Sequence, residues 1–179
     1  MNLERQKKRP LPIMRNIIIV GFMATGKTTV AKALAKKLGR TYVSIDDEIE
    51  KRSGNVISDI FKNKGEAYFR KLEREIIESV SEKNDQVIDT GGGAVLDKEN
   101  MVNFKKNGVV ICLWSPPGVI FERTRKSIHR PLLNVEDPAN EIKKLSEARR
   151  PFYKKADFHI DTADFDIKAI VKKISEIID

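Results

Sequence analysis

The sequence predicts an α/β protein of three layers, a parallel β-sheet with helices on both faces. Three observations carry that prediction. Short apolar, β-branched runs alternate with longer segments of helical periodicity. Glycine-containing turns follow directly on two of the runs, where a parallel sheet gathers its ligand-binding loops. The length, 179 residues, suits one domain with a sizeable core.

Residues 16–20, Asn-Ile-Ile-Ile-Val, read as a buried strand, and residues 29–38 have helical periodicity. Between them, residues 21–28 read Gly-Phe-Met-Ala-Thr-Gly-Lys-Thr, a complete G-x-x-x-x-G-K-[ST] phosphate-binding loop. Strand, glycine loop and helix in that order are the context the motif needs. Its glycines let the backbone curl until successive N–H groups point at one anion. The helix start adds a partial positive charge. Lys27 is expected to reach the β- and γ-phosphates of a nucleotide and the Thr28 hydroxyl to ligate Mg²⁺. Gly21, Met23, Ala24, Thr25, Gly26 and Thr29 complete the expected nucleotide contacts of this segment.

Gly39 closes the first helix, and residues 41–45 read as a second strand. Residues 46–52 form a short helix closed by Ser53-Gly54-Asn55, and 56–62 a further helical piece. A longer helix over 65–82 carries Ala67, Phe69, Leu72, Ile76, Ile77 and Val80 near helical spacing. Residues 86–89 are a brief strand running into Thr90-Gly91-Gly92-Gly93. A helix over 98–106 and a strand over 109–114 follow. The next helix, 116–125, opens with proline, as a first turn can. Residues 126–136 are polar without a period. Residues 138–155 read as a helix broken near Pro151, 158–160 as the last strand and 167–178 as a closing amphipathic helix.

The formal net charge of +8 invites a nucleic-acid reading. Part of it is local: residues 1–15 hold Arg5, Lys7, Lys8, Arg9 and Arg15 against Glu4 alone, a basic and flexible extension ahead of a single domain over 16–179. No RRM, KH, zinc-finger or aromatic-interleaved basic stripe is present, so no nucleic-acid partner is expected. The basic start lacks the apolar stretch of a signal peptide, and no run approaches a membrane span. One cysteine, Cys112, cannot form an intrachain disulfide, which fits a cytoplasmic location. It sits in an apolar strand and reads as a small core residue rather than a nucleophile. Every amphipathic stretch has a place in the fold, so a monomer is expected.

Four further constellations fall where a parallel sheet would gather them. Asp46, at the end of the second strand, can bind Mg²⁺, accept a hydroxyl proton, or cap the short helix that follows. Arg70 and Glu73, three apart on one helix face, are either a solvated ion pair or an oriented guanidinium for a carboxylate. Gly91, Gly92 and Gly93 suit a close backbone approach to a ligand, or a linker. Arg123 and Arg130 flank the aperiodic stretch, which reads as a charged surface loop or as a lid over 122–136 that closes on phosphates.

Taken together, residues 21–28, Asp46 before Glu-Ile-Glu-Lys-Arg, Phe69-Arg70, Thr90-Gly91-Gly92-Gly93, Arg130-Pro131-Leu132-Leu133 and Arg149-x-Pro-x-Tyr153 resemble the shikimate kinase family. The resemblance runs from about residue 16 to the C-terminus, with matching order and spacing. It implies transfer of the γ-phosphoryl group of MgATP to the 3-hydroxyl of shikimate, a step toward chorismate and the aromatic amino acids. It implies a P-loop kinase fold with a five-stranded parallel sheet in the order 2-3-1-4-5, a mobile lid, and a substrate-binding region over 45–81. By position, Asp46 holds the substrate hydroxyls and is the proton acceptor. Arg70 and Arg149 clamp the carboxylate, and Gly91, Gly92 and Gly93 cradle it. Arg130 is the lid arginine, and Arg123 lies against the adenine beside Thr162. Lys27, Asp46 and Arg130 form the catalytic set.

One departure stands out. Many family members carry Asp two residues before the substrate Asp, in support of Mg²⁺, and this chain has Ser44 there. Either Asp89, ending the third strand, takes over through water, or Ser44 suffices and Asp89 orders the glycine turn. The rival small-molecule kinases, gluconate kinases among them, share the phosphate loop but have less use for two arginines beside three glycines. A non-catalytic nucleotide-dependent role is opposed by the intact Lys27, Asp46 and Arg130.

Overall fold

The computed structural model describes residues 15–125, 135–164 and 166–178. Five parallel strands form one sheet in the order β2-β3-β1-β4-β5. They are β1 (Asn16–Gly21), β2 (Thr41–Ser44), β3 (Gln86–Asp89), β4 (Gly108–Trp114) and β5 (Phe158–Asp161). The helices are α1 (Lys27–Leu38), α2 (Ile45–Ser53), α3 (Ile57–Ser81), α4 (Lys98–Lys106), α5 (Pro117–Thr124), α6 (Pro138–Tyr153) and α7 (Ile167–Ile178). A short 3₁₀ turn, Ala94–Leu96, follows the glycine run.

Side-chain alternation along the strands sorts the core into two layers. Ile18, Val20, Ile88, Val110 and Cys112 pack with Ile76, Phe104, Ile120 and Ile142 of α3, α4, α5 and α6. Ile17, Ile19, Val87, Ile111 and Leu113 pack on the other face with Val30 and Leu34 of α1 and Ile170 and Ile174 of α7. Because both faces are covered, β1 and β4 are apolar almost throughout. Burial pushes the Cys112 thiol up to about 12, so it stays a neutral core group.

The helix ends explain how loops are aimed. Gly26 enters α1 in the left-handed region, at φ 90°, and no side chain caps the N-terminus. The first N–H groups of α1 are left for a ligand. Gly39 closes α1 at φ 65°. The second strand ends one residue earlier than the sequence predicts, because its ladder with β3 stops at Ser44 opposite Asp89. Ile45 turns inward and opens α2. Ser44, not Asp46, is then the N-cap: its hydroxyl accepts from the Asp47 N–H at 3.1 Å. Asp46, Asp47 and Glu48 occupy the first turn, where acidic side chains favour the helix dipole. Ser44→Ala is expected to cost about 1 kcal/mol of stability, read as a lower denaturation midpoint with an unchanged slope.

Two expected helix breaks resolve differently. Gly65, at φ 79° and ψ 172°, does interrupt α3. Pro151 does not break α6, which continues to Tyr153. A proline this close to the C-terminus removes one helical hydrogen bond and leaves too little helix beyond it to redirect. The continuity keeps Arg149 and Tyr153, four apart, on one face. The expected lid is described only at its ends: residues 126–134, Arg130 among them, lie outside the described residues, as do residues 1–14 of the basic extension.

Candidate active site

The carboxyl ends of the strands converge on a cavity of about 570 Å³, within the range of small-ligand sites. Lys27, Thr28, Asp46, Arg70, Asp89, Gly91, Gly92, Gly93 and Arg149 all line it. Residues as far apart in the chain as Lys27 and Arg149 thus meet at one rim, as expected of an open parallel sheet.

The phosphate loop forms the floor. Gly21 adopts φ 148°, and a Cβ there would lie 2.3 Å from the Leu113 carbonyl oxygen, so only glycine fits. Thr25 faces inward: its hydroxyl donates to the Phe22 carbonyl at 2.8 Å. Gly21 and Thr25 therefore shape the loop from beneath, while Met23, Ala24, Gly26, Lys27, Thr28 and Thr29 face the cavity. Lys27 Nζ donates to the Phe22 carbonyl at 2.9 Å. The Thr28 hydroxyl donates to Asp89 Oδ2 at 2.6 Å.

Asp46 faces this floor from the first turn of α2. Burial raises its carboxyl above the ordinary range, and the Asp89 carboxylate adds to the rise while Lys27 opposes it. That combination suits a group that must be ionised yet basic enough to take a proton. Asp89 is also raised by burial, countered by the Thr28 hydroxyl, by Lys27 and by the Tyr42 hydroxyl.

The opposite wall is built for an anion. Arg70 Nη1 donates to Glu73 Oε2 at 2.7 Å, and its Nε donates to Glu66 at 3.2 Å. Glu73 is 1% exposed, so this is a buried anchor and not a solvated surface pair. Burial pushes the Glu73 carboxyl up, and Arg70 pulls it back. Gly93 is where Arg70 passes closest: a Cβ would come within 2.5 Å of Nη2. The fourth turn of α6 brings Arg149 over the Phe22 ring at 5.6 Å. Its Nη1 lies 3.7 Å from where a Gly92 Cβ would be. Tyr153, one turn on, donates its hydroxyl to the Gly92 carbonyl at 2.6 Å. Burial pushes that phenol up to about 12, against the pull of Arg149, so it remains a donor. The glycine run is thus held from α6 and leaves its surface open to the cavity; it is no linker.

Arg123 and Thr162 meet at the side of the phosphate loop. Arg123 donates to the carbonyls of Thr162 at 2.5 Å, Ala163 at 2.8 Å and Ala24 at 3.2 Å. The buried Thr162 hydroxyl donates to the Thr25 carbonyl at 3.0 Å. These bonds tie the loop after β5 to the phosphate loop. Two contributors escape a reading of sequence alone. Tyr42 looks like an ordinary strand aromatic, but its hydroxyl donates to Asp89 Oδ2 at 3.2 Å. Ser44 looks like a lost carboxylate, whereas it caps α2.

Comparisons with known proteins point to one family. A family model for shikimate kinase matches residues 23–179. A shikimate kinase of Thermodesulfovibrio yellowstonii is 50% identical over 161 residues, 90% of this chain and 93% of that protein. One of Persephonella marina is 48% identical, covering 90% of this chain and 97% of that protein. The structure of the shikimate kinase from Acinetobacter baumannii in complex with shikimate superposes with a TM-score of 0.86. It is 36% identical and covers 92% of this chain and 93% of that one.

Proposed function

This chain belongs to the shikimate kinase family, and we propose how its own residues divide the work of that reaction. The protein is an ATP-dependent kinase that acts on shikimate, transferring the γ-phosphoryl group to the 3-hydroxyl and releasing ADP. The observation that carries the assignment of roles is the meeting of Asp46, Arg70, Arg149 and the glycine run in one cavity with the phosphate loop.

In this reading the shikimate carboxylate lies between Arg70 and Arg149, against the backbone of Gly91, Gly92 and Gly93. Two guanidinium groups recognise a planar carboxylate through paired donors. Glu73 fixes the Arg70 fork in advance, which lowers the ordering cost of binding. Asp46 holds the substrate hydroxyls and takes the 3-hydroxyl proton as the oxygen attacks the γ-phosphorus. The open N-terminus of α1 and Lys27 receive the triphosphate. Arg123, with the Thr162 segment, borders the adenine. Arg130, which lies outside the described residues, completes the catalytic set as the arginine that meets the transferring phosphoryl group.

The residues present fit Mg²⁺. Among the described residues Asp89 Oδ1 is buried with no hydrogen-bond partner. The Thr28 proton is committed to Asp89 Oδ2, which leaves the Thr28 oxygen lone pairs for a cation. Thr28 would hold Mg²⁺ directly and Asp89 through water. When bound, Mg²⁺ supplies neutralisation of the triphosphate charge. No group of three or more Asp, Glu, His or Cys among the described residues could hold an ion by itself, so the cation would arrive with the nucleotide. The chain is read as a monomer of the cytoplasm without a nucleic-acid or membrane partner. Its single thiol is buried, and no described helix is long and apolar enough to cross a membrane.

ADP release with MgATP tests the acceptor directly. Shikimate is expected to support turnover, whereas gluconate and nucleoside monophosphates are not. Turnover with gluconate in preference to shikimate would overturn the carboxylate-clamp reading and leave the fold untouched.

A further inference from the structure

Asp89 is held in a way that points to one more residue of the nucleotide site. β2 and β3 run in register, with Tyr42 opposite Val87 and Ser44 opposite Asp89. Tyr42 and Ser44, two apart on an edge strand, share a face with Asp89. Two hydroxyls converge on the same carboxylate oxygen: Thr28 reaches Asp89 Oδ2 at 2.6 Å and Tyr42 reaches it at 3.2 Å. Asp89 is 6% exposed, and its second oxygen, Oδ1, has no hydrogen-bond partner among the described residues. Its carboxylate borders the same cavity as Lys27, Thr28 and Tyr42 itself. The Tyr42 ring is fixed in turn, with Lys32 Nζ at 5.3 Å from its centroid.

A buried carboxylate with one oxygen doubly hydrogen-bonded cannot rotate freely, and the oxygen left over is directed by default. Leaving Oδ1 unmatched in the interior is costly unless a ligand meets it. We infer that Tyr42 is a positioning residue for the cation that accompanies the nucleotide: its hydroxyl, together with that of Thr28, pins Asp89 Oδ2 so that Oδ1 is presented to the metal's water shell. The inference rests on the Mg²⁺ reading of Thr28 and Asp89 and extends it to a side chain that acts through Asp89. Outer-shell donors of this kind act by orienting a ligand rather than by binding.

Tyr42→Phe removes the hydroxyl and keeps the ring. The probe is Mn²⁺, titrated by electron paramagnetic resonance against the full-length protein with saturating ADP. Tyr42→Phe is expected to weaken Mn²⁺ binding about tenfold and to raise the Mg²⁺ concentration for half-maximal turnover in parallel. ADP affinity in the presence of a chelator and the KM for shikimate should not move. Asp89→Asn should weaken Mn²⁺ at least as much, and Tyr42→Phe should add nothing in that background. Unchanged Mn²⁺ binding in Tyr42→Phe beside weakened binding in Asp89→Asn would overturn the role of Tyr42 and leave the metal reading standing. Unchanged binding in both would overturn the metal reading and, with it, this inference. An equal loss of metal-free ADP affinity in Tyr42→Phe would reveal a general distortion of the site and would overturn it too.

Discussion

Asp46→Asn is expected to lower kcat by about 10² to 10⁴ and, at the same time, to raise the melting temperature. Both effects follow from one fact, that burial and the Asp89 carboxylate push the Asp46 carboxyl above its ordinary range. A carboxyl raised in the folded state binds protons more tightly there than in the unfolded chain. Its favourable contribution to stability is fully present below the ordinary aspartate pKa. That contribution is lost as pH rises through the raised, folded value. Above the raised, folded value the ionised group opposes folding, and a neutral isostere removes the opposition. Catalysis needs the opposite state, since only the carboxylate can take the hydroxyl proton. The acid limb of the kcat profile should therefore lie above the ordinary aspartate range in the wild type and vanish in the variant. Kinetics and thermal unfolding, both followed across pH, check the two halves. A variant that loses stability, or keeps full activity, would remove Asp46 from the role of base.

The second large effect separates binding from folding at Arg70. Arg70→Ala should raise the KM for shikimate about a hundredfold, the scale for losing one partner of a desolvated charge pair. It should also cost about 2 kcal/mol of stability, because Glu73 is left buried with Oε2 as well as Oε1 unpartnered. Arg70 keeps partial solvent exposure, which holds this below the cost of breaking a fully buried pair. Adding Glu73→Gln should restore most of the stability and none of the shikimate affinity. Steady-state kinetics and chemical denaturation on the single and double variants read these independently. An unchanged KM in Arg70→Ala would place the carboxylate elsewhere in the cavity.

Ser44 and Asp89 are neighbours across the β2–β3 ladder. A parallel ladder sets equivalent residues of neighbouring strands about 5 Å apart, so a carboxylate on β3 can serve the space that one on β2 would serve. Ser44 opposite Asp89 is such a pair. The Ser44 hydroxyl caps α2, the helix that carries Asp46 into the cavity.

Local chemistry alone dictates one part of this structure. The ranges of α4 and α7, the glycine stop of α1 and the phosphate loop all follow from periodicity, caps and backbone freedom within a few residues. The two-sided burial of the sheet is legible in the unbroken apolar runs of β1 and β4. The candidate site residues are legible as types at set spacings, and the tertiary structure brings the described ones together. Their states were decided only there. Whether Asp46 or Ser44 caps α2 depends on where the β2–β3 ladder ends. Whether Glu73 is solvated depends on what packs over α3, and whether Pro151 breaks α6 depends on how little helix lies beyond it. The joining of Tyr42, Thr28 and Asp89 spans 61 positions between its most distant hydroxyl and carboxylate. The physical reason is common to all of them: hydrogen bonding and burial are settled by neighbours in space, and those neighbours come from strands that pair far apart in the chain.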